Sequence, residues 1–278
     1  MHFQTGRQSF LGRFRNPSGP ARAAPAIDAT HPTTTLFAWS PKDGSRNFGD
    51  HLSHVIAEAV AAERGLTFHD EVSQPRRLLA IGSILHFAQD GDVIWGSGIN
   101  GKIPLSRIAA RSLDIRAVRG PLTRAHLQDK GFAVPEIFGD PALLARRYFG
   151  DRFPRLETRD YIVIPNLHDI ALVADHPAFV SPLNGWNRCI EAICSARFVV
   201  ASSLHGVIVA ESFGVPARLV RLTDTESPFK YDDYAQGTGR DRLTPARSID
   251  EALDMGPYPP AQFDAERLVD AFPWDLWT

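Results

Sequence analysis

The sequence predicts an α/β protein built as two Rossmann-like halves that face each other across a cleft. Three observations predict it. Short β-branched runs alternate with longer stretches of helical period along most of the chain, the pattern of βαβ units. Many of the runs end in Gly or Ser, at the carboxyl ends where open α/β sheets place their ligands. The 278 residues suffice for two modest domains, and a polar, basic stretch with Pro154 inside it divides the alternation into two series.

Residues 1–32 are rich in Arg, Gly, Pro, Ala and Ser with little periodicity, and read as a disordered basic tail. Within it Phe10, Leu11 and Phe14 interleave with Arg7, Arg13 and Arg15, a weak basic amphipathic turn of the kind that touches anionic lipid. The N-terminal domain covers residues 33–150. Its strands are read at Thr35 to Ser40, Leu78 to Ile81, Val93 to Trp95 and Ile115 to Val118. Helices follow from about Asp50 to Ala62, from Pro121, where proline suits a first helical turn, and from Ala142 to Tyr148. A linker at 151–160 leads to a C-terminal domain at 161–278. Tyr161 to Ile164, Phe179-Val180, Phe198 to Ala201 and Ala217 to Leu222 are its strands. Its helices are read at Asp169 to Ala174, Asn187 to Cys194, Leu204 to Ser212, Ile249 to Met255 and Ala265 to Phe272, the last expected to pack back on the first domain.

Composition narrows the function. With 44% hydrophobic and 22% charged residues the chain reads as globular. A net charge of −2 argues against nucleic acid as a partner. No run approaches the ~20 apolar residues of a membrane span, and no apolar core of signal-peptide length follows the first arginines. Cys189 and Cys194 form neither a CxxC pair nor a disulfide framework. The expected location is cytoplasmic.

The chain is organised around Ser195 to Pro216, SARFVVASSLHGVIVAESFGVP. A buried strand ends in Ser202-Ser203, and a helix begins at once with His205 in its first turn, beside unpaired N–H groups and the positive end of the helix dipole. This is the make-up of an anion site with an acid/base attached. It is equally ordinary N-cap chemistry beside a packed histidine.

The same stretch resembles the signature of the polysaccharide pyruvyl transferase family. Further matches come in that family's order: NFGD at Asn47 to Asp50, GSI at Gly82 to Ile84, WGSGI at Trp95 to Ile99, RAVRGPLT at Arg116 to Thr123, FGDPALL at Phe138 to Leu144 and FKYDDY at Phe229 to Tyr234. The resemblance implies a fold like the two-domain glycosyltransferase B type. It implies transfer of the pyruvyl group of phosphoenolpyruvate to a hexose of an exopolysaccharide or its lipid-linked precursor, giving a cyclic ketal and phosphate. Such an enzyme needs no cofactor beyond the donor substrate, and it would work at the inner face of the plasma membrane or beside a polysaccharide-assembly complex.

His205 is the expected acid/base or phosphate stabiliser, since an imidazole titrates near ~6.5. Arg119, at the end of a strand, is the expected cation for the donor, ahead of Arg116 and Arg124. Some of the wider family carry an arginine two residues before the histidine, where this chain has Ser203. Asp50 is read either as a helix cap or as the group that orients or deprotonates an acceptor hydroxyl. Asn47 and Gly49 line the cleft beside it, and Gly82 and Gly98 are strand-end glycines of the same type. Ser202, Ser203 and Gly206 complete the expected donor surface. Lys230, in a polar, aromatic loop, is a second phosphate contact or an exposed lysine. Asp140 is expected only to cap a helix. Asp232 and Asp233 are adjacent acids pointing apart, so no metal is expected. Glu211 resembles the ribose-binding acid of glycosyltransferases and keeps open a nucleotide-sugar-dependent reaction. A non-catalytic sugar- or anion-binding module is the other alternative.

Overall fold

Two all-parallel sheets with intervening helices make up the protein. The computed structural model describes Pro32–Thr278, and the tail and its basic turn lie, but for Pro32, outside the described residues. In chain order come β1 (Thr35–Phe37), α1 (Phe48–Ala62), β2 (Arg77–Leu79), β3 (Asp92–Trp95), β4 (Leu113–Ala117), α2 (Pro121–Asp129) and α3 (Ala145–Phe149). They are followed by β5 (Arg159–Ile164), α4 (Ile170–Val173), α5 (Trp186–Ser195), β6 (Ala196–Ala201), α6 (Leu204–Ser212), β7 (Ala217–Leu219), α7 (Phe229–Gly237), α8 (Ile249–Met255) and α9 (Ala265–Asp270).

The first sheet has the order β1-β2-β3-β4, with a parallel bridge from Val118 to Phe138 beyond β4. Neighbours in space are neighbours in sequence, so this sheet has no point at which the winding reverses. The second sheet is different. Its order is β5-β6-β7, Phe179 bridges to the outer side of β5, and Ala246 bridges to Val220 just after β7. The chain therefore steps outward from β5 to Phe179, returns to the other side as β6 and continues to β7. That reversal between β5 and β6 is a topological switch point, where the loops diverge and leave a crevice at the carboxyl ends. Asn166 follows β5 there, and Ser202 to His205 follow β6.

Pro32–Thr278 forms one compact unit. One apolar cluster runs from Phe48, Leu52 and Trp95 to Ile164, Val199 and Val207. Helix α6 explains the continuity. It packs on β6 and β7 and also on the 3-10 turn Pro141–Leu144. Leu204, Gly206, Val207, Ile208, Val209 and Ala210 are all buried, so apolar side chains surround it rather than forming one stripe. Ser212 pins its end, donating to Leu143 O and accepting from Arg146 N. The C-terminal segment packs on the first sheet. Trp95 Nε1 donates to Leu268 O at 2.8 Å and its ring meets Phe272 edge-on.

Two local expectations are corrected. Helix α1 starts at Phe48, two residues before Asp50, and its cap is Asn47, whose side chain accepts from Gly49 N at 3.0 Å. FKYDDY is the start of α7 rather than a loop, with Tyr231, Asp233 and Tyr234 buried. Both cysteines are free and buried. No described helix is long and apolar enough to cross a membrane.

Candidate active site

A cavity of about 330 Å³ opens where the carboxyl ends of the two sheets meet. Asn47, Asp50, Gly82 and Arg119 reach it from the first sheet, and Ser203, His205 and Lys230 from the second. Seven of the sequence-predicted residues thus come together. Ser202, Gly49, Gly98, Gly206 and Glu211 do not line it.

His205 is held from two sides. Ser203 caps α6 by accepting from Gly206 N, which fixes the first helical turn. Asp140 Oδ2 lies 3.7 Å from His205 Nε2, and neither buried atom has a hydrogen-bond partner. Asp140 does cap its turn, through Oδ1 and Ala142 N, but its second oxygen is left for the imidazole. The expected cap is therefore present, and the second oxygen faces the imidazole without a hydrogen bond, with the Nδ1 edge turned toward α1. On that edge the ring rests on Gly49, where an added Cβ would come within 2.2 Å of Nδ1. Gly49 thus makes room for His205 rather than for a ligand.

Asp50 stands next to this histidine on the first turn of α1. Burial pushes its carboxyl up to about 6, outweighing the attraction of His205 and Lys230. Gly82 is next to it, in the left-handed region at φ 114°, and a Cβ there would press on Asp50 Oδ1 at 3.3 Å. A carboxyl poised near neutrality beside an imidazole can take up and return a proton at cellular pH.

The cations are arranged differently from the expectation. Lys230 projects from α7 and pairs with Glu226 at 2.6 Å, while Lys102 pairs with the other oxygen of Glu226 at 2.7 Å. Burial lowers the Lys230 pKa, and Glu226 offsets part of that. Burial works against the Glu226 charge, but Lys230 and Lys102 hold its carboxyl below the usual range. Two ammonium groups share the Glu226 carboxylate, and Lys230 also attracts the Asp50 carboxyl. Lys102 and Glu226 carried no sequence signal beyond their residue types.

Arg119 is not a free donor cation. Its side chain is 1% exposed and is paired with the fully buried Asp233 at 2.9 Å. It also donates to Ser83 Oγ and Ile99 O. Asp233 in turn accepts from Thr123 N and Oγ1, which satisfies the start of α2 from α7. Gly98 lies flat on this guanidinium, where a Cβ would come within 2.3 Å of Cζ; it serves Arg119 and not a ligand. Breaking this pair leaves a charge buried alone, so Asp233→Ala should cost about 3–5 kcal/mol of stability, read by urea unfolding. A loss below 1 kcal/mol would show that the pair is dispensable.

The remaining expected contacts have structural partners. Glu211 binds Arg240 and the Tyr234 hydroxyl and does not line the cavity. Gly206 allows α6 to approach Ala201, 2.8 Å from where its Cβ would lie. Ser202 Oγ accepts from Asn166 N at 3.0 Å and lines a neighbouring cavity of about 170 Å³. Among the described residues no group of His, Cys, Asp and Glu is placed to hold a metal ion.

A sequence model of the family described as polysaccharide pyruvyl transferase matches residues 47–223, from the cap of α1 to just past β7. The chain is 28% identical over 237 residues to the succinoglycan biosynthesis protein ExoV of Rhizobium meliloti (strain 1021), covering 79% of this chain and 71% of that protein. It is 25% identical over 210 residues to the uncharacterized protein L143 of Acanthamoeba polyphaga mimivirus, covering 70% of this chain and 72% of the other.

Proposed function

Because the chain belongs to the polysaccharide pyruvyl transferase family and is thereby a transferase, we propose that it moves the pyruvyl group of phosphoenolpyruvate onto a hexose of an exopolysaccharide or its lipid-linked precursor. The product is a cyclic ketal, and phosphate is released. The similarity to a protein of succinoglycan biosynthesis supports an exopolysaccharide acceptor. Two Rossmann-like halves across a cleft remain the architecture we infer, supported by the cavity between the carboxyl ends of two parallel sheets. The work would be done in the cytoplasm, at the inner membrane face if the acceptor is lipid-linked.

The observation that carries the reading is His205, with Asp140 behind it and Asp50 beside it, facing a cavity that Asp50, Lys230 and Lys102 also line. Phosphoenolpyruvate brings about three negative charges. Lys230, Lys102, the α6 N-terminus and a protonated His205 are the groups that would meet them. In the reaction, one acceptor hydroxyl adds to C2 of the donor while C3 takes a proton and becomes a methyl group. The C2–O bond to phosphate then breaks, and a second hydroxyl closes the ring. Two hydroxyl protons are lost; one ends on the methyl carbon and one on phosphate. Asp50 is the group we assign to take the hydroxyl proton, and His205 the group we assign to deliver one.

A thermal-shift titration with phosphoenolpyruvate, UDP-glucose and GDP-mannose tests the donor. A ligand at ~100 times its Kd stabilises a fold by about 2.7 kcal/mol. Phosphoenolpyruvate alone should stabilise the wild type, and Lys230→Ala should weaken its binding by roughly 10- to 100-fold, as expected for a lost charged hydrogen bond. Stabilisation by a nucleotide-sugar instead would transfer the site to glycosyl transfer.

A further inference from the structure

A second and larger cavity, of about 800 Å³, runs along the outer side of α1. It meets the candidate active site at Trp39 and Asn47, which line both. From there the wall follows α1 past His51, His54 and Glu58 and ends at Phe149 and Trp186.

Its chemistry is unlike that of the donor cavity. Arg46 and Glu58 supply one charge of each sign. Burial lowers the pKa of both His51 and His54, and Arg46 lowers that of His51 further. Arg46 Nη1 lies 3.3 Å from His51 Nε2. A guanidinium can only donate, so Nε2 accepts and neutral His51 keeps its proton on Nδ1. The groove thus offers uncharged donors and acceptors with no net charge. Half-buried Trp39 stands at its near end, and Phe149 and Trp186 sit at its far end with ring centroids 5.1 Å apart.

We infer that this groove is the acceptor subsite, and that it takes an uncharged saccharide of two or more pyranose units. The inference rests on the pyruvyl-transfer reading above. A pyranose presents apolar C–H faces and a rim of hydroxyls, which suit flat aromatic walls joined by neutral polar groups. A polyanion would need net positive charge, and an amphipathic helix would need a continuous apolar floor. The groove has neither. His51 to Glu58 span about 10 Å along the helix, longer than one sugar ring. Only the end at Trp39 and Asn47 reaches Asp50 and His205, so the unit lying there reacts and the others hold register along α1.

The test is calorimetric binding of gluco-, galacto- and manno-oligosaccharides of one to four units to the full chain, with the phosphoenolpyruvate thermal shift measured in parallel. Wild type, His54→Ala, Glu58→Ala and Trp186→Ala are compared. Affinity for at least one series should rise about tenfold from one unit to three. The two α1 variants, which change surface groups and not the core, should each lose about five- to tenfold of it and keep the donor shift. No binding by any series, or variants that bind as wild type, would overturn the subsite. Saccharide binding that the variants weaken, in a protein that phosphoenolpyruvate does not stabilise, would leave the groove standing and remove the pyruvyl donor instead.

Discussion

Replacing His205 by alanine should lower the transfer rate by roughly 10²–10⁴-fold, the usual worth of a positioned general acid or base. The fold should survive, because the imidazole makes no hydrogen bond that α6 depends on: its Nε2 is unpartnered and the cap is Ser203. Asp140→Asn separates positioning from chemistry. It keeps the shape beside Nε2 but offers no charge to an imidazolium, so the rate should fall by less than in His205→Ala. An Asp140 that only caps its turn would lower the melting temperature in Asp140→Asn and leave the rate of the folded enzyme unchanged.

Asp50→Asn should make the protein more stable and far less active. The Asp50 carboxyl titrates near 6 in the folded chain, against 3.8 ordinarily. The folded state therefore binds this proton more tightly than the unfolded state does. Its contribution to stability is fully present below about pH 4 and is lost as pH rises through 6. Above that, wild type holds a charge that burial disfavours. Removing it should stabilise the fold by about 2 kcal/mol at pH 8, roughly 4–8 °C in Tm for a chain of this size, with the gain vanishing toward pH 4. If Asp50 takes the hydroxyl proton, the wild-type rate should also fall about tenfold for each pH unit below 6. An equal gain in stability at pH 4 and pH 8 would show that burial of the charge is not its source.

The part of the site legible in the sequence is the part built from local signals. A β-branched run, a change of period at Leu204 and a Ser cap placed His205 correctly at the start of α6. The switch point beside it was not legible, because it depends on Phe179 pairing on the far side of β5. Asp140 and Asp233 carried the same limitation. Each has a local reading, as a cap or as one of two adjacent acids, and each also meets a group distant in sequence. Asp233 is 114 residues from Arg119, and without that partner Arg119 reads as an available cation. The glycines misled for a related reason. A strand-end glycine marks a close approach, and the sequence does not say whether a ligand or a side chain approaches. Against Gly49 and Gly98 it is His205 and Arg119. FKYDDY lacks the apolar spacing of a helix because α7 buries Asp233 alongside Tyr231 and Tyr234, so its burial is bought by hydrogen bonds and an ion pair that only the tertiary structure supplies.

The most direct measurement is the fate of phosphoenolpyruvate mixed in D₂O with the enzyme and an oligosaccharide acceptor that binds it, followed by proton and phosphorus NMR. Pyruvyl transfer with protonation at C3 predicts one phosphate released for each new ketal methyl group, and one deuterium in that methyl. His205→Ala should produce neither signal at the wild-type rate. Phosphate release with no ketal methyl, or an acceptor modified only when a nucleotide-sugar is supplied, would contradict the assignment.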